Sequence, residues 1–225
     1  NKIDWDIKQI KLLSIDIECE SENGFPDVEK ANEALICITV KDHTSKRIIV
    51  FGMENFVNDR DDVQYIKCKS EIDLIHQFTR FWTEYEPNII TGWNVKFFDI
   101  PYLFNRFKYI MGEEYLNQFS PWGTVTNSSA ISLGYARTQN YYDILGVDTL
   151  DYLDLYRKHT FVRRESYKLD YIGEVELGEN KTENPYDTFK EFYSNDYQRF
   201  VEYNIQDVEL VDKLEDKMKL IALHL

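Results

Sequence analysis

The sequence predicts one α/β domain with the order β-β-β-α-β followed by helices. Residues 10–20 alternate as a strand does, with Leu13, Ile15, Ile17 and Cys19 on one side and Ser14, Asp16, Glu18 and Glu20 on the other. Two more β-forming runs follow, and beyond residue 70 the apolar period becomes that of helices. Over 225 residues, 43% hydrophobic and 29% charged side chains are enough to fill a sizeable core under a solvated surface, which rules out a disordered chain.

The elements can be justified in order. After the first strand, Leu35 to Val40, a His-Thr-Ser turn and Arg47 to Phe51 read as a hairpin that extends the same antiparallel sheet. Ser70 is placed to cap a helix whose Ile75, Phe78, Trp82 and Tyr85 form one apolar stripe, and Pro87 stops it. A short strand spans 88–93. The next helix has Asp99 at its start, Pro101 in its first turn, apolar Leu103, Phe104, Phe107 and Ile110, and Gly112 just past its end. Residues 121–142, rich in Ser, Thr, Asn and Gly with scattered β formers, read as an extended hairpin projecting from the body. Helical periods return at 148–158, 166–177 and 195–223. No repeat or low-complexity linker divides the chain, so residues 1–225 are expected to form a single domain.

Cys19, Cys37 and Cys68 are odd in number and widely spaced, which excludes a disulfide framework and fits a reducing compartment. No apolar run approaches the roughly 18 residues of a membrane span. A soluble, intracellular, cytoplasmic monomer is expected, and the start at Asn1 fits a domain excised from a longer chain. The net charge of −14 at first argues against nucleic acid, because phosphate binders are usually basic. The sum hides its distribution: residues 174–216 hold 13 acids against 4 bases, whereas residues 157–168 hold five bases and one acid.

Asp16 and Glu18, two apart on a strand, leave one face and repel each other unless solvent or a cation compensates. A lone D-x-E is most often a wet strand face, but these acids sit in an Ile-rich first strand of the kind that lies mid-sheet. Asp99, in Asn94-Val-Lys-Phe-Phe-Asp-Ile-Pro-Tyr102, reads by itself as a helix cap. Tyr203 and Asp207, four apart on the last helix, share a face and read by themselves as a solvated side with a tyrosine over the core.

Together, Asp16-x-Glu18, Asn94-x-x-x-Phe98-Asp99 and Tyr203-x-x-x-Asp207 resemble the three motifs of the 3′→5′ exonuclease domain of family B DNA polymerases. Ser14-Ile-Asp-Ile-Glu18, Gly24-Phe-Pro26, Thr91-Gly-Trp-Asn94, Leu150-Asp-Tyr-Leu-Asp-Leu155, Ser166-Tyr-Lys-Leu-Asp-Tyr-Ile172 and Tyr203-Asn-Ile-Gln-Asp207 are most similar to the T-even-type bacteriophage members. The resemblance runs from about residue 10 to 214, and no palm, fingers or thumb motif is present. It implies a ribonuclease-H-like exonuclease fold: a mixed five-stranded sheet flanked by helices, with the carboxylates converging at one rim and the 124–142 hairpin projecting to help separate primer from template.

The implied reaction is two-metal-ion hydrolysis with Mg²⁺ or Mn²⁺, hard cations that prefer carboxylate oxygen and water. By resemblance Asp16 bridges the ions, Glu18 and Asp207 complete the tighter site, Asp99 holds the second ion largely through water, and Tyr203 orients the attacking water. Tyr203 and Ile205 occupy the neighbourhood where a related class carries histidine, so the chain falls in the tyrosine subtype; His43, His76, His159 and His224 read as surface or core residues. The resemblance points Lys181 at the scissile phosphate, with an exposed loop lysine as the alternative. It gives Phe25 as a wedge against the terminal bases, and Asn94 and Phe98 as contacts at the DNA 3′ end, with core burial the alternative for Phe98. The partners expected are a single-stranded DNA 3′ end, the rest of a polymerase chain and its replication accessory proteins. Binding of DNA by the detached domain should be weak and salt-sensitive. A catalytically silent module that holds DNA or docks a polymerase would have lost an acid, and none is missing. An RNA-trimming exonuclease is a third reading, since nothing in the sequence reads a 2′-hydroxyl.

Overall fold

The computed structural model describes residues 9–20, 25–131, 138–179 and 184–225. In chain order the elements are β1 (Leu12–Cys19), β2 (Leu35–Asp42), β3 (Ile48–Gly52), β4 (Val63–Lys67), α1 (Glu71–Tyr85), β5 (Ile89–Gly92), α2 (Asp99–Met111), a 3-10 segment (Glu113–Phe119), β6 (Val125–Ile131), β7 (Thr138–Ile144), β8 (Asp148–Asp151), α3 (Tyr152–His159), α4 (Leu169–Leu177), α5 (Phe189–Asn195), α6 (Tyr197–Met218) and α7 (Leu220–His224). The main sheet has the order β4-β3-β2-β1-β5-β8. β1, β2 and β3 are antiparallel in sequence, while β4, β5 and β8 add parallel strands at the two sides. The mixed α/β architecture is therefore as expected, with six strands in this sheet among the described residues where the resemblance implies five and the sequence itself places four.

The two unforeseen strands are both at edges. β4 is a five-residue parallel edge strand after a charged loop. β8 falls where a helix was expected to begin: Asp148-Thr-Leu-Asp151 pairs with β5 from Ile89 to Gly92, and the helix starts only at Tyr152. Four polar-rich residues carry no strand signature of their own; pairing with β5 imposes one. The long terminal helix is likewise divided, with Asp196 capping α6 and Lys219 in a left-handed conformation after it.

Alternation along β1 divides the core. Leu13, Ile15, Ile17 and Cys19 pack with Leu74, Ile75, Phe78 and Trp82 of α1 and Ile100, Leu103, Phe104 and Phe107 of α2. Ser70 accepts the Asp73 N–H at 3.3 Å, which caps α1 as its sequence predicts. On the opposite face Leu12 and Ile89 pack with α3, α4 and the second half of α6, while Cys37, Ile48 and Val50 pack with α5 and its first half. That face of β1 also presents Ser14, Asp16 and Glu18, so the acids look toward α6. Among the described residues no helix is long and apolar enough to cross a membrane.

β6 and β7 form the expected hairpin, paired from Val125 with Ile144 to Ile131 with Thr138. Residues 132–137, between the two strands, lie outside the described residues. Its base is anchored: Tyr142 and Ile144 are buried, and the Tyr142 hydroxyl donates to Asn105 Oδ1 at 2.6 Å.

Candidate active site

Asp16 and Glu18 reach from β1, and Asp207 from α6, to one point. Each offers a carboxylate oxygen, and the three oxygens lie within 4.8 Å of one another. They line a cleft of about 400 Å³ together with Asp99, Tyr203, Phe25, Phe98 and Phe189. Three carboxylates this close are mutually repulsive, and their hard oxygen donors suit a divalent cation such as Mg²⁺. Asp16 and Glu18 are half-buried and Asp207 is buried. Asp99 stands outside the trio but in the same cleft.

The position of Asp99 follows from how the sheet ends. β1 and β5 pair only as far as Ser14 with Thr91, and beyond that point the Ile17 N–H donates to Asp99 Oδ1 at 3.2 Å. A side chain from α2 thus stands where a strand would have continued. Asp99 is only 2% exposed. Burial raises its carboxyl well above the ordinary range; the Ile17 hydrogen bond opposes this, and the charges of Asp151 and Asp207 add to it.

The turn that delivers Phe98 and Asp99 is built from two special backbone positions. A Cβ on Gly92 would lie 2.5 Å from the Ile15 carbonyl oxygen, so only glycine lets β5 approach β1 here. Asn94 has φ +68°, a left-handed conformation that Asn tolerates better than most residues, and its carbonyl accepts the N–H groups of Phe97 at 3.2 Å and Phe98 at 2.9 Å. Asp151 holds the turn from below, accepting the N–H of Asn94 at 3.2 Å and of Lys96 at 2.9 Å while also capping α3. Burial raises the Asp151 carboxyl to about 7, against the Lys96 hydrogen bond and with Asp154 nearby. The Lys96 ammonium lies 4.2 Å from the centre of the Tyr141 ring, which joins the turn to the hairpin.

One wall of the cleft is aromatic. Phe25 is 81% exposed and its ring centre is 4.9 Å from that of Phe98. Phe98 is half-buried, lining the cleft while also packing against the core cluster, whereas Phe97 is buried. Tyr203 is half-buried, 5.7 Å from Phe192 and 6.2 Å from Phe189 between ring centres. Asn94 is half-buried within its turn, and Lys181 lies outside the described residues. In the basic run, Arg164 is committed to Glu176 at 2.5 Å and Arg157 lies over the Tyr167 ring at 4.7 Å.

Three residues that shape the site were not singled out from the sequence. Asp151 was visible only as part of Leu150-Asp-Tyr-Leu-Asp-Leu155, and its buried anchoring role depends on β8 being a strand. Asn204, between Tyr203 and Asp207, donates from its amide to Asp16 Oδ2, and the Thr39 hydroxyl donates to Asn204 Oδ1. Thr39 has no local signal at all; it is identified by strand register, directly opposite Asp16.

The family model for the exonuclease domain of family B DNA polymerases matches residues 2–172. The chain is 32% identical to the DNA-directed DNA polymerase of Escherichia phage RB69, over 100% of this chain and 27% of that protein. It is 32% identical to the corresponding polymerase of Enterobacteria phage T4, over 96% of this chain and 26% of that protein. The DNA polymerase catalytic subunit of Psittacid herpesvirus 1 is 27% identical over 96% of this chain and 21% of its own length. The chain spans about a quarter of the length of the phage relatives. A sheet of the expected class, the acids of the first and third motifs gathered within 4.8 Å, and matches of this extent lead to one conclusion: the chain belongs to the exonuclease domains of family B DNA polymerases.

Proposed function

We propose that the chain is a metal-dependent 3′→5′ DNA exonuclease of the four-carboxylate, tyrosine subtype. It removes deoxynucleoside monophosphates from single-stranded or frayed 3′ ends and proofreads as one domain, residues 1–225, of a longer polymerase chain with its replication accessory proteins. The setting is the cytoplasm of a bacterial host, and the detached domain is a monomer. The observation that carries the reading is the convergence of Asp16, Glu18 and Asp207, with Asp99 beside them, in a cleft walled by exposed Phe25 and half-buried aromatic rings.

Asp16, Glu18, Asp99 and Asp207 would hold two divalent ions, Mg²⁺ or Mn²⁺. When bound, such ions supply an activated water and neutralise charge at the departing oxygen. Tyr203 reaches the cleft from the same helix as Asp207, and its hydroxyl orients the attacking water by hydrogen bonding. Phe25 and Phe98 offer stacking faces to terminal bases, which suits a strand bound without regard to sequence. Asn94 positions Phe98 at the 3′ end through its turn, and the resemblance assigns Lys181 to the scissile phosphate. The anchored hairpin lies next to the turn through Lys96 and Tyr141 and is suited to keeping template from primer.

The test is a 5′-labelled oligonucleotide incubated with the protein and Mg²⁺. A ladder of shortened products that disappears with chelator or with Asp16→Ala is expected. Absence of a ladder, or one that survives Asp16→Ala, would sink the hydrolytic reading. Faster trimming of RNA than of DNA would move the substrate assignment.

A further inference from the structure

β1, β2 and α6 meet behind Asp16. Thr39 lies opposite Asp16 in the β1–β2 register, and Thr39 and Asn204 are both completely buried. The Thr39 hydroxyl donates to Asn204 Oδ1, and Asn204 Nδ2 donates to Asp16 Oδ2. Chemistry forces this direction. An ionised carboxylate only accepts, so the nitrogen of the amide must face Asp16; its oxygen then faces Thr39, whose hydroxyl must donate. Around Asn204 the same helix is apolar, with Phe200, Val201, Ile205 and Val208 in the core. An apolar side chain would fill that space, but it would take the Asn204 N–H away from a half-buried carboxylate.

We infer that Asn204, oriented by Thr39, is a positioning residue that sets the plane of the Asp16 carboxyl and thereby the metal-holding arrangement of Asp16, Glu18 and Asp207. The terminal torsion of an aspartate is broad when unrestrained, and a hydrogen bond to one oxygen narrows it. Asn204 is three residues before Asp207, so a single turn of α6 supplies one carboxylate and the group that orients another. Partners behind the ligands of this kind tune affinity by fixing ligand geometry before binding. The inference rests on the metal-holding reading of these acids proposed above.

The experiment is calorimetric titration of Mn²⁺ into the 225-residue protein and its Asn204→Leu and Thr39→Val variants, alongside thermal melts and exonuclease rate against Mn²⁺ concentration. Both variants should bind Mn²⁺ about 10- to 100-fold more weakly, with Thr39→Val at the lower end, and high Mn²⁺ should restore much of the rate. A lesion of packing alone would lower the melting temperature and leave the Mn²⁺ affinity of the folded protein unchanged. Wild-type Mn²⁺ affinity in both variants would overturn the inference. Should Asn204→Leu fail to fold, Thr39→Val, which keeps the side-chain shape and replaces the donating hydroxyl by a methyl, decides it. A wild-type protein that binds no Mn²⁺ would overturn the metal reading and this inference together, a result distinct from wild-type binding with unaltered variants.

Discussion

Asp212 on α6 is a buried charge outside the cleft, and replacing it by asparagine should destabilise the fold strongly. Its carboxylate lies 3.1 Å from Lys41 Nζ, 3.1 Å from His43 Nδ1 and 2.7 Å from Lys46 Nζ. Asp212 is 3% exposed and Lys41 7%. Ser14 Oγ, 2.6 Å from His43 Nε2, links the cluster to β1. Serine, histidine and aspartate in series have the connectivity of a hydrolase triad, but Ser14 is completely buried, so the cluster serves structure. Asp212→Asn strands the Lys41 ammonium without its counter-charge. Breaking a buried pair from one side costs about 3–5 kcal/mol, and the lower end applies because Lys46 can turn to solvent. At roughly 2–4 °C per kcal/mol for a chain of this size, about 3 kcal/mol lowers the melting temperature by roughly 6–12 °C at neutral pH. Removing both charges with Lys41→Met and Asp212→Leu should recover most of the loss, since an apolar pair avoids the desolvation penalty. The pH dependence has a definite sign. Burial alone would raise the Asp212 carboxyl, but hydrogen bonds from His43 and Lys46 and the charges of His43 and Lys41 outweigh it and hold it well below the usual range. Its contribution is complete above the unfolded aspartate value of about 4 and fades as the pH falls from there toward the lower folded value. The gap between wild type and Asp212→Asn should therefore be full at pH 7 and narrow below about pH 4. Differential scanning calorimetry across that range measures it. A variant that melts within about 2 °C of wild type at pH 7 would refute the ion-cluster account.

Three further outcomes are expected. Gly92→Ala sets a methyl against the Ile15 carbonyl oxygen and forces β5 away from β1 beside the acids, so it should cost about 1–3 kcal/mol in thermal melts and reduce exonuclease rate; a wild-type melting profile would contradict the close approach. Phe25→Ala removes a ring that is mostly solvent-exposed, so the melting temperature should hold while affinity for a single-stranded 3′ end, read by fluorescence anisotropy, weakens by about 1–3 kcal/mol; unchanged affinity would remove Phe25 from the stacking wall. Asp151→Asn replaces an acceptor oxygen by a donor facing the N–H of Asn94 or Lys96, which should cost about 1–3 kcal/mol of stability and also lower turnover, because the same turn delivers Phe98 and Asp99. Loss of stability with full turnover would separate Asp151 from the site.

Much of this molecule is legible in the amino-acid order because local physics and tertiary context agree. The β1 alternation and the Ser70 cap are short-range features, and each appears in the structure where pattern and capping chemistry place it; α2 does start at Asp99, but Asp99 does not cap it, because its carboxylate turns to the Ile17 N–H and the residue before the helix, Phe98, makes no side-chain cap. The strand face that carries Asp16 and Glu18 is set by the period of two, and the shared side of Tyr203 and Asp207 by the helical turn. β8 departs from the helix expected there for the complementary reason. Asp148-Thr-Leu-Asp151 has no apolar alternation, and only the open edge of β5 makes it a strand.

By itself the sequence determines which residues share a face: its spacings place two acids on one side of a strand and a tyrosine and an acid on one side of a helix. Its charge distribution also shows that an excess of 14 negative charges is uneven and does not rule out an anionic partner. Only the tertiary structure decides the distances between those faces. Asp16 and Asp207 are 191 positions apart in the chain, and their meeting depends on α6 crossing β1 and β2. The end of β5 pairing at Thr91 leaves the Ile17 N–H to Asp99, and strand register sets Thr39 behind Asp16 with Asn204 between them. Spacing acts through bonds a few residues long, whereas register and packing are settled by the whole sheet and the helices that cover it.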